Sequence, residues 1–244
     1  MRNVATLVVR EMGAYFRSPI GYCVPILFWL IGGLRFYLDL KWTEGDVSAA
    51  LAQLMGGLHF WLLTFLIIPA LTMRLLAEER RSGTLEMLLT APVDDWEVVA
   101  GKFVGAILFY AFLWCPLLLY LAVLIFIGGT PDLGAAVANF LGVLLVGALF
   151  MAVGLFCSSL TSNQIIAALM TAVGLLVVSF LPEVGRLFPQ VQWVQAVGDY
   201  LSFFRHFDEF RGGVVDVRPV VYYVTLIGLF LFLTARSLEA RKWR

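Results

Sequence analysis

The chain has 244 residues, of which 61% are hydrophobic and 14% charged, and its formal net charge is zero. Globular domains carry about 45–50% apolar and about 25% charged residues, so these few charges cannot coat a water-soluble surface; with a mean hydropathy of +0.91 the chain is an integral membrane protein by composition. The balanced charge gives no electrostatic case for a nucleic-acid partner.

In chain order, Asn3, Thr6, Arg10, Gly13 and Arg17 are spaced to form one polar stripe on a helix, opposite Val4, Leu7, Val8, Met12 and Tyr15. Residues 3–17 are therefore predicted to form an amphipathic helix in the cytoplasmic interface, its arginines toward anionic headgroups. Pro19 breaks that helix and turns the chain into the bilayer. The stretch carries no signal-peptide plan, because Arg10, Glu11 and Arg17 interrupt it and the next apolar run lacks a small-residue cleavage site.

A membrane-crossing helix needs about 20 apolar residues. Six runs qualify, at 19–40, 58–77, 103–127, 136–157, 165–181 and 217–235. Helices are expected because lipid offers backbone groups no outside hydrogen-bond partner, and the alternation of a transmembrane barrel is missing. The fold class is thus all-α, a polytopic six-span bundle forming a single domain over 1–244, with Pro69 and Pro116 bending their helices. Gly101 and Gly105 form a small-xxx-small pair suited to close helix approach.

Counting Lys and Arg per side orients the chain. With the N-terminus inside, Arg10, Arg17, Arg74, Arg80, Arg81, Lys102 and the basic tail around Arg236 and Arg241 fall on the cytoplasmic side, so both termini are expected in the cytoplasm. The external links at 41–57 and 128–135 are expected to be short. The longer external loop, 182–216, is expected to contain an amphipathic helix that lies at the outer interface or dips partly into it, with Asp199 capping its start, Phe203, Phe207 and Phe210 along one face, and Gly212 ending it. Residues 157–164, CSSLTSNQ, make a tight cytoplasmic turn.

Residues 78–102, EERRSGTLEMLLTAPVDDWEVVAGK, form the one long charge-dense segment between apolar runs. Leu85, Leu88 and Leu89 draw one face of a short helix after Gly83, with Ser82 able to cap it and Pro92 to stop it. Asp94 with Glu97 three residues on matches a capping box, and that second helix runs through Trp96 and Lys102 into the third span. The residues alone fit two readings equally: a short exposed helix on two stems that carries force from a soluble partner, or a solvated charge run that marks the cytoplasmic boundary with its leucines in the interface.

The run LTMRLLAEERRSGTLEMLLTAPVDDWEVVAGKF, residues 71–103, resembles the second span and first cytoplasmic loop of type 2 ABC-exporter permeases. It is especially similar to the group with gliding-motility-associated and nitrous-oxide-reductase-maturation permeases. FCSSLTSNQ at 156–164 and VVYYVTLIGLFLFLTARSLEARKWR at 220–244 extend the resemblance over nearly the whole chain. It implies two six-helix permeases, as a homodimer or with a sister permease, in the cytoplasmic (inner) membrane. Each would dock its first cytoplasmic loop on a separate ABC ATPase subunit that binds ATP and Mg. Carried over by residue, Glu78, Glu79, Arg80, Arg81, Ser82, Gly83, Thr84 and Glu86 would form this coupling helix. Ser159, Thr161, Asn163 and Gln164 would make a second contact.

No Gly-rich Walker loop occurs, since Gly101-Lys102 is followed by Phe103, so if ATP drives this protein another chain must bind it, and this chain is expected to hold no cofactor and to be a transport subunit, not an enzyme. His59 and His206 have no second ligand at metal spacing. Cys23, Cys115 and Cys157 lie in apolar runs at wide spacing, which fits no disulfide framework. Arg35 with Asp39 one turn on, near the outer end of the first span, can pair or snorkel. An ion-coupled carrier or channel would want ionisable groups at mid-depth and inverted repeats; an intramembrane enzyme would want a Glu/His or Ser/Lys constellation. Scattered polar groups at Thr64, Thr72, Ser158, Thr171 and Ser179 are expected inside the bundle.

Overall fold

A computed structural model of the protein describes residues 2–83, 94–126, 131–187 and 192–242. The described residues form helices and their connections, with no strand. In order these are α1 (Arg2–Arg17), α2 (Ile20–Trp42), α3 (Val47–Gly56), α4 (Leu58–Thr72), α5 (Ala77–Arg81), α6 (Asp95–Leu113), α7 (Cys115–Phe126), α8 (Leu133–Leu160) and α9 (Gln164–Phe180). A 3₁₀ turn (Pro182–Leu187), α10 (Gln192–Leu201), α11 (Phe203–Arg211) and α12 (Val217–Lys242) complete the chain. Among the described residues six stretches are long and apolar enough to cross a membrane: Ile20–Trp42, Leu58–Arg81, Asp95–Phe126, Leu133–Leu160, Gln164–Gly185 and Val217–Ala240. The protein is a multi-pass membrane protein of helices, as its apolar runs predict.

The bundle is built around α8. It packs against α4, α6, α9, α11 and α12, and 72% of its most apolar window is buried, against 17–56% for the other spans. Small residues permit this. A Cβ on Gly147 would lie 2.0 Å from the Tyr110 ring of α6, and one on Gly154 2.3 Å from Thr72 Oγ1 of α4. Lipid supplies no hydrophobic drive between helices, so close approach and dispersion contacts hold such a centre together. Thr64, Thr72, Ser158, Thr171 and Ser179 are all buried in the bundle. The hydroxyls of Thr72 and Thr171 donate to carbonyls one turn back on their own helices, so they add no free polarity to the interior.

Several connections differ from expectation. The link at 41–57 is no plain loop: Asp46 accepts from the amides of Ser48 and Ala49 and starts α3. Ala50, Leu51, Leu54 and Met55 of α3 are buried, a helical stripe in VSAALAQLMG that was masked by its shortness. The loop at 182–216 holds two α-helices. Asp199 lies within α10, and it is Ser202 that caps α11, its Oγ accepting from the amide of Arg205, while Gly212 ends the helix as expected. Phe203, Phe207 and Phe210 turn inward onto protein. They are buried among Phe60, Trp61, Phe150 and Tyr223, with Phe207 stacked on Phe60 at 5.5 Å. An aromatic face of that area gains more by packing against α8 than by resting on headgroups.

The third crossing begins at Asp95 and breaks at Trp114, just before Pro116. Pro116 has no N–H to donate back to Phe112, and the amide of Leu117 turns to the Trp114 carbonyl instead. Asp94 occupies the N-cap position of α6, but its side chain accepts no capping bond, contrary to the capping box expected there. At the opposite end from α1, Arg35 pairs with buried Asp39 at 2.7 Å, as their spacing suggested.

Candidate functional site

The segment that follows α4 is held by contacts from three other helices. α4 ends at Thr72, the chain turns through residues 73–76, and α5 starts at Ala77. A new helix leaves its first amides without intrahelical partners. Here the cap comes from a distant helix: Ser158 Oγ of α8 accepts from the amides of Leu76 and Ala77 at 3.1 and 3.0 Å. Arg80 Nη1 donates to the carbonyl of Ser159 at 2.5 Å. A guanidinium thereby meets the negative end of the α8 dipole.

Glu79 points the other way, into a buried charge network. Lys102 of α6 is 1% exposed, and its Nζ lies 2.8 Å from Glu11 Oε1 of α1 and 2.9 Å from Glu79 Oε1. Arg10 reaches the same Glu79 oxygen at 3.5 Å. Two cations and two carboxylates thus join α1, α5 and α6. The helix contact around the network is close: Cβ atoms at Gly101 and Gly105 would fall 2.7 and 2.8 Å from the Cβ atoms of Leu7 and Glu11. The small-xxx-small pair therefore seats α1, whose apolar face packs on a neighbouring helix and is not simply laid in an interface. Tyr15, on the same face of α1, donates to the Leu71 carbonyl at 3.2 Å. Burial, helped by the Glu11 charge, holds its phenol far above the ordinary value of 10.

What this bracing leaves exposed is a small surface. Glu78, Arg81, Ser82 and Gly83 are exposed, and Ser82 closes α5, its hydroxyl donating to the Glu79 carbonyl. Gly83 adopts φ +72°, a left-handed turn that a side chain would resist. Beside α5 runs the α8–α9 turn. There Thr161 Oγ1 accepts from the Asn163 amide, and Asn163 Oδ1 caps α9 by accepting from Ile165 and Ile166. Leu160, Ser162 and Asn163 are exposed, while Thr161 and Gln164 are half-buried.

The two segments that the resemblance brought forward are therefore neighbours at one end of the bundle. Within them the predicted residues divide. Glu78, Arg81, Ser82, Gly83 and Asn163 face outward, with Thr161 and Gln164 at the edge; Glu79, Arg80 and Ser159 are engaged within the chain. Thr84, Glu86, and the helix expected from Leu85 to its stop at Pro92 lie outside the described residues. Sequence reasoning missed Glu11, Lys102 and the capping role of Ser158. A signal existed for Glu11: it falls between Leu7 and Tyr15 at four-residue steps, a lone acid on the apolar face of α1. Among the described residues no group of three or more His, Cys, Asp or Glu is placed to hold a metal.

Comparison with known proteins gives the chain's family. The chain is similar to the probable multidrug ABC transporter permease YbhR of Escherichia coli (strain K12), 28% identical over 127 residues, and to its counterpart in Escherichia coli O157:H7 at the same identity. The match takes in 52% of this chain and 31% of each relative, so it spans about a third of their length. The sequence pattern of the ABC-2 family transporter proteins covers residues 5–234, nearly the whole chain. With six helices long and apolar enough to cross a membrane and a family match over nearly its whole length, this chain belongs to the ABC-2 family of transporter proteins.

Proposed function

We propose that this chain is the permease half of an ATP-driven exporter, coupled at α5 and the α8–α9 turn to a separate ATPase subunit that holds ATP and Mg. The observation that carries this reading is the clamp on α5. Ser158 and Arg80 fix the stub to the central helix, and Lys102 ties it to α1 and α6. A push on Glu78, Arg81 and Ser82 would thus reach three helices without being lost in a floppy linker. Alternation between inward and outward access then needs only that the partner's nucleotide states favour different bundle arrangements. A second permease copy or a sister permease would complete the pathway. On this reading the α1 end and both termini are cytoplasmic, in the inner membrane.

The test is a pair of charge reversals on exposed groups, Glu78→Lys and Arg81→Glu. Both should abolish co-purification of the ATPase subunit and transport-stimulated ATP hydrolysis while leaving thermal unfolding of the permease unchanged. Full ATPase binding and transport by the double variant would defeat the assignment of this surface. Purification of an active transporter with no nucleotide-binding subunit would defeat the coupling itself and favour an ion-coupled carrier.

A further inference from the structure

We propose that the cleft between α1 and the end of α4 is a binding site for the phosphate of an anionic phospholipid. The cleft has a volume of about 300 Å³, room for roughly ten waters at about 30 Å³ each. Its polar lining carries Arg10, Arg17, Ser18, Arg74 and Lys102 with Glu11, Glu78 and Glu79, and its apolar lining includes Ile20, Ala70, Leu71 and Leu75.

The charges on its wall do not cancel. Arg10, Lys102, Glu11 and Glu79 form the network already described and neutralise one another. That leaves Arg17 and Arg74 against Glu78, whose side chain is 53% exposed and stands 4.0 Å from Arg74 Nε. Arg17 donates Nε to the Gly13 carbonyl of its own helix and pairs with no carboxylate among the described residues. Arg74 donates Nη1 to Ser18 Oγ at 2.7 Å, which holds the guanidinium at the mouth of the cleft. Its Nε is buried with no hydrogen-bond partner, a costly state that an acceptor oxygen would relieve. Two guanidinium forks, one from α1 and one from the chain just after α4, suit a phosphate, which accepts planar, paired donors.

The position favours a lipid over a free anion. α1 is amphipathic and joins spanning α2 through Ser18 and Pro19, so the cleft lies at headgroup depth. The apolar wall continues from the arginines toward the hydrocarbon, where a glycerol and first methylenes would run. A soluble phosphate has no use for that wall. The site stands whether or not α5 couples to an ATPase, because Arg17 and Arg74, which would hold the phosphate, lie outside the α5 residues assigned to that contact.

The experiment uses the full chain purified in mild detergent and titrated with phosphatidylglycerol, phosphatidylcholine or inorganic phosphate, with bound species counted by native mass spectrometry. One phosphatidylglycerol should bind per chain in preference to phosphatidylcholine. Arg17→Gln should weaken it about fivefold and Arg17→Gln with Arg74→Gln about 25-fold, from about 1 kcal/mol per basic residue at an anionic surface. Arg205→Gln, exposed at the opposite end, should change nothing. Equal affinity for phosphatidylcholine, displacement of phosphatidylglycerol by millimolar phosphate, or unchanged binding by Arg17→Gln would each overturn the site. Arg17→Gln is decisive on its own, because that side chain bonds only to its own helix and its loss does not threaten folding.

Discussion

Replacing Lys102 with methionine tests whether the network joining α1, α5 and α6 holds this end of the molecule together. Lys102 is 1% exposed with carboxylates at 2.8 and 2.9 Å. At an effective dielectric of about 20, each contact is worth about 6 kcal/mol of Coulomb attraction, offset by several kcal/mol of desolvation for each ion. The net value of the assembled network is therefore small, but losing the cation alone is different: Glu11 and Glu79 then face each other, partly buried, without it. That step costs about 3–5 kcal/mol, or about 6–20 °C in the midpoint for a chain of this size. Thermal unfolding in detergent, followed by circular dichroism, measures it. The triple variant Glu11→Gln, Lys102→Met, Glu79→Gln removes the charges together and should recover more than half of the loss. A Lys102→Met midpoint within 2 °C of that of the exposed control Arg81→Ala, or a triple variant as unstable as the single one, would refute the reasoning.

Ser158→Ala should leave the Leu76 and Ala77 amides buried without an acceptor, costing about 1–3 kcal/mol and accelerating hydrogen exchange at those two amides ahead of the rest of α5. Gly154→Ala would drive a Cβ to 2.3 Å from Thr72 Oγ1 and should destabilise by about 1–3 kcal/mol or more through overpacking. Gly32→Ala, where nothing lies within 4 Å, should be neutral or stabilising by up to about 1 kcal/mol in the same unfolding assay. Phe207→Ala, emptying a fully buried ring site against Phe60 and Trp61, should cost about 3–5 kcal/mol. The Tyr15 phenol has a folded pKa raised above its ordinary value of 10, so its contribution is whole below pH 10 and lost as pH rises above it. Tyr15→Phe should start less stable by about one hydrogen bond and show a shallower alkaline decline; parallel alkaline curves would disprove this.

The crossing helices were legible because a run of apolar residues behaves the same way whatever surrounds it. Residues 217–235 form a helix that the structure extends to Lys242, whereas in the run 58–77 the helix ends at Thr72 and a new one starts at Ala77. The Gly101 and Gly105 pair announced a close approach without naming α1 as the helix that arrives. The α3 helix and the inward turn of Phe203, Phe207 and Phe210 were harder. An amphipathic segment of about ten residues reads alike whether its apolar face meets headgroups or protein, and only the groove beside α8 distinguishes the two.

The same division applies to the candidate site. Sequence alone determined that residues 78–83 and 156–164 carry the polar groups at one end of an apolar bundle, since charged and hydroxyl side chains stay where hydrocarbon stops. It could not say which of those groups are spoken for. Glu78 and Glu79 are adjacent and chemically identical, yet a helical step of about 100° turns Glu79 toward Lys102 and leaves Glu78 facing outward. Hydropathy is a property of each residue taken singly, whereas the pairing of Glu11 with Lys102 across 91 positions, or of Ser158 with the amides of α5, exists only after three helices have packed.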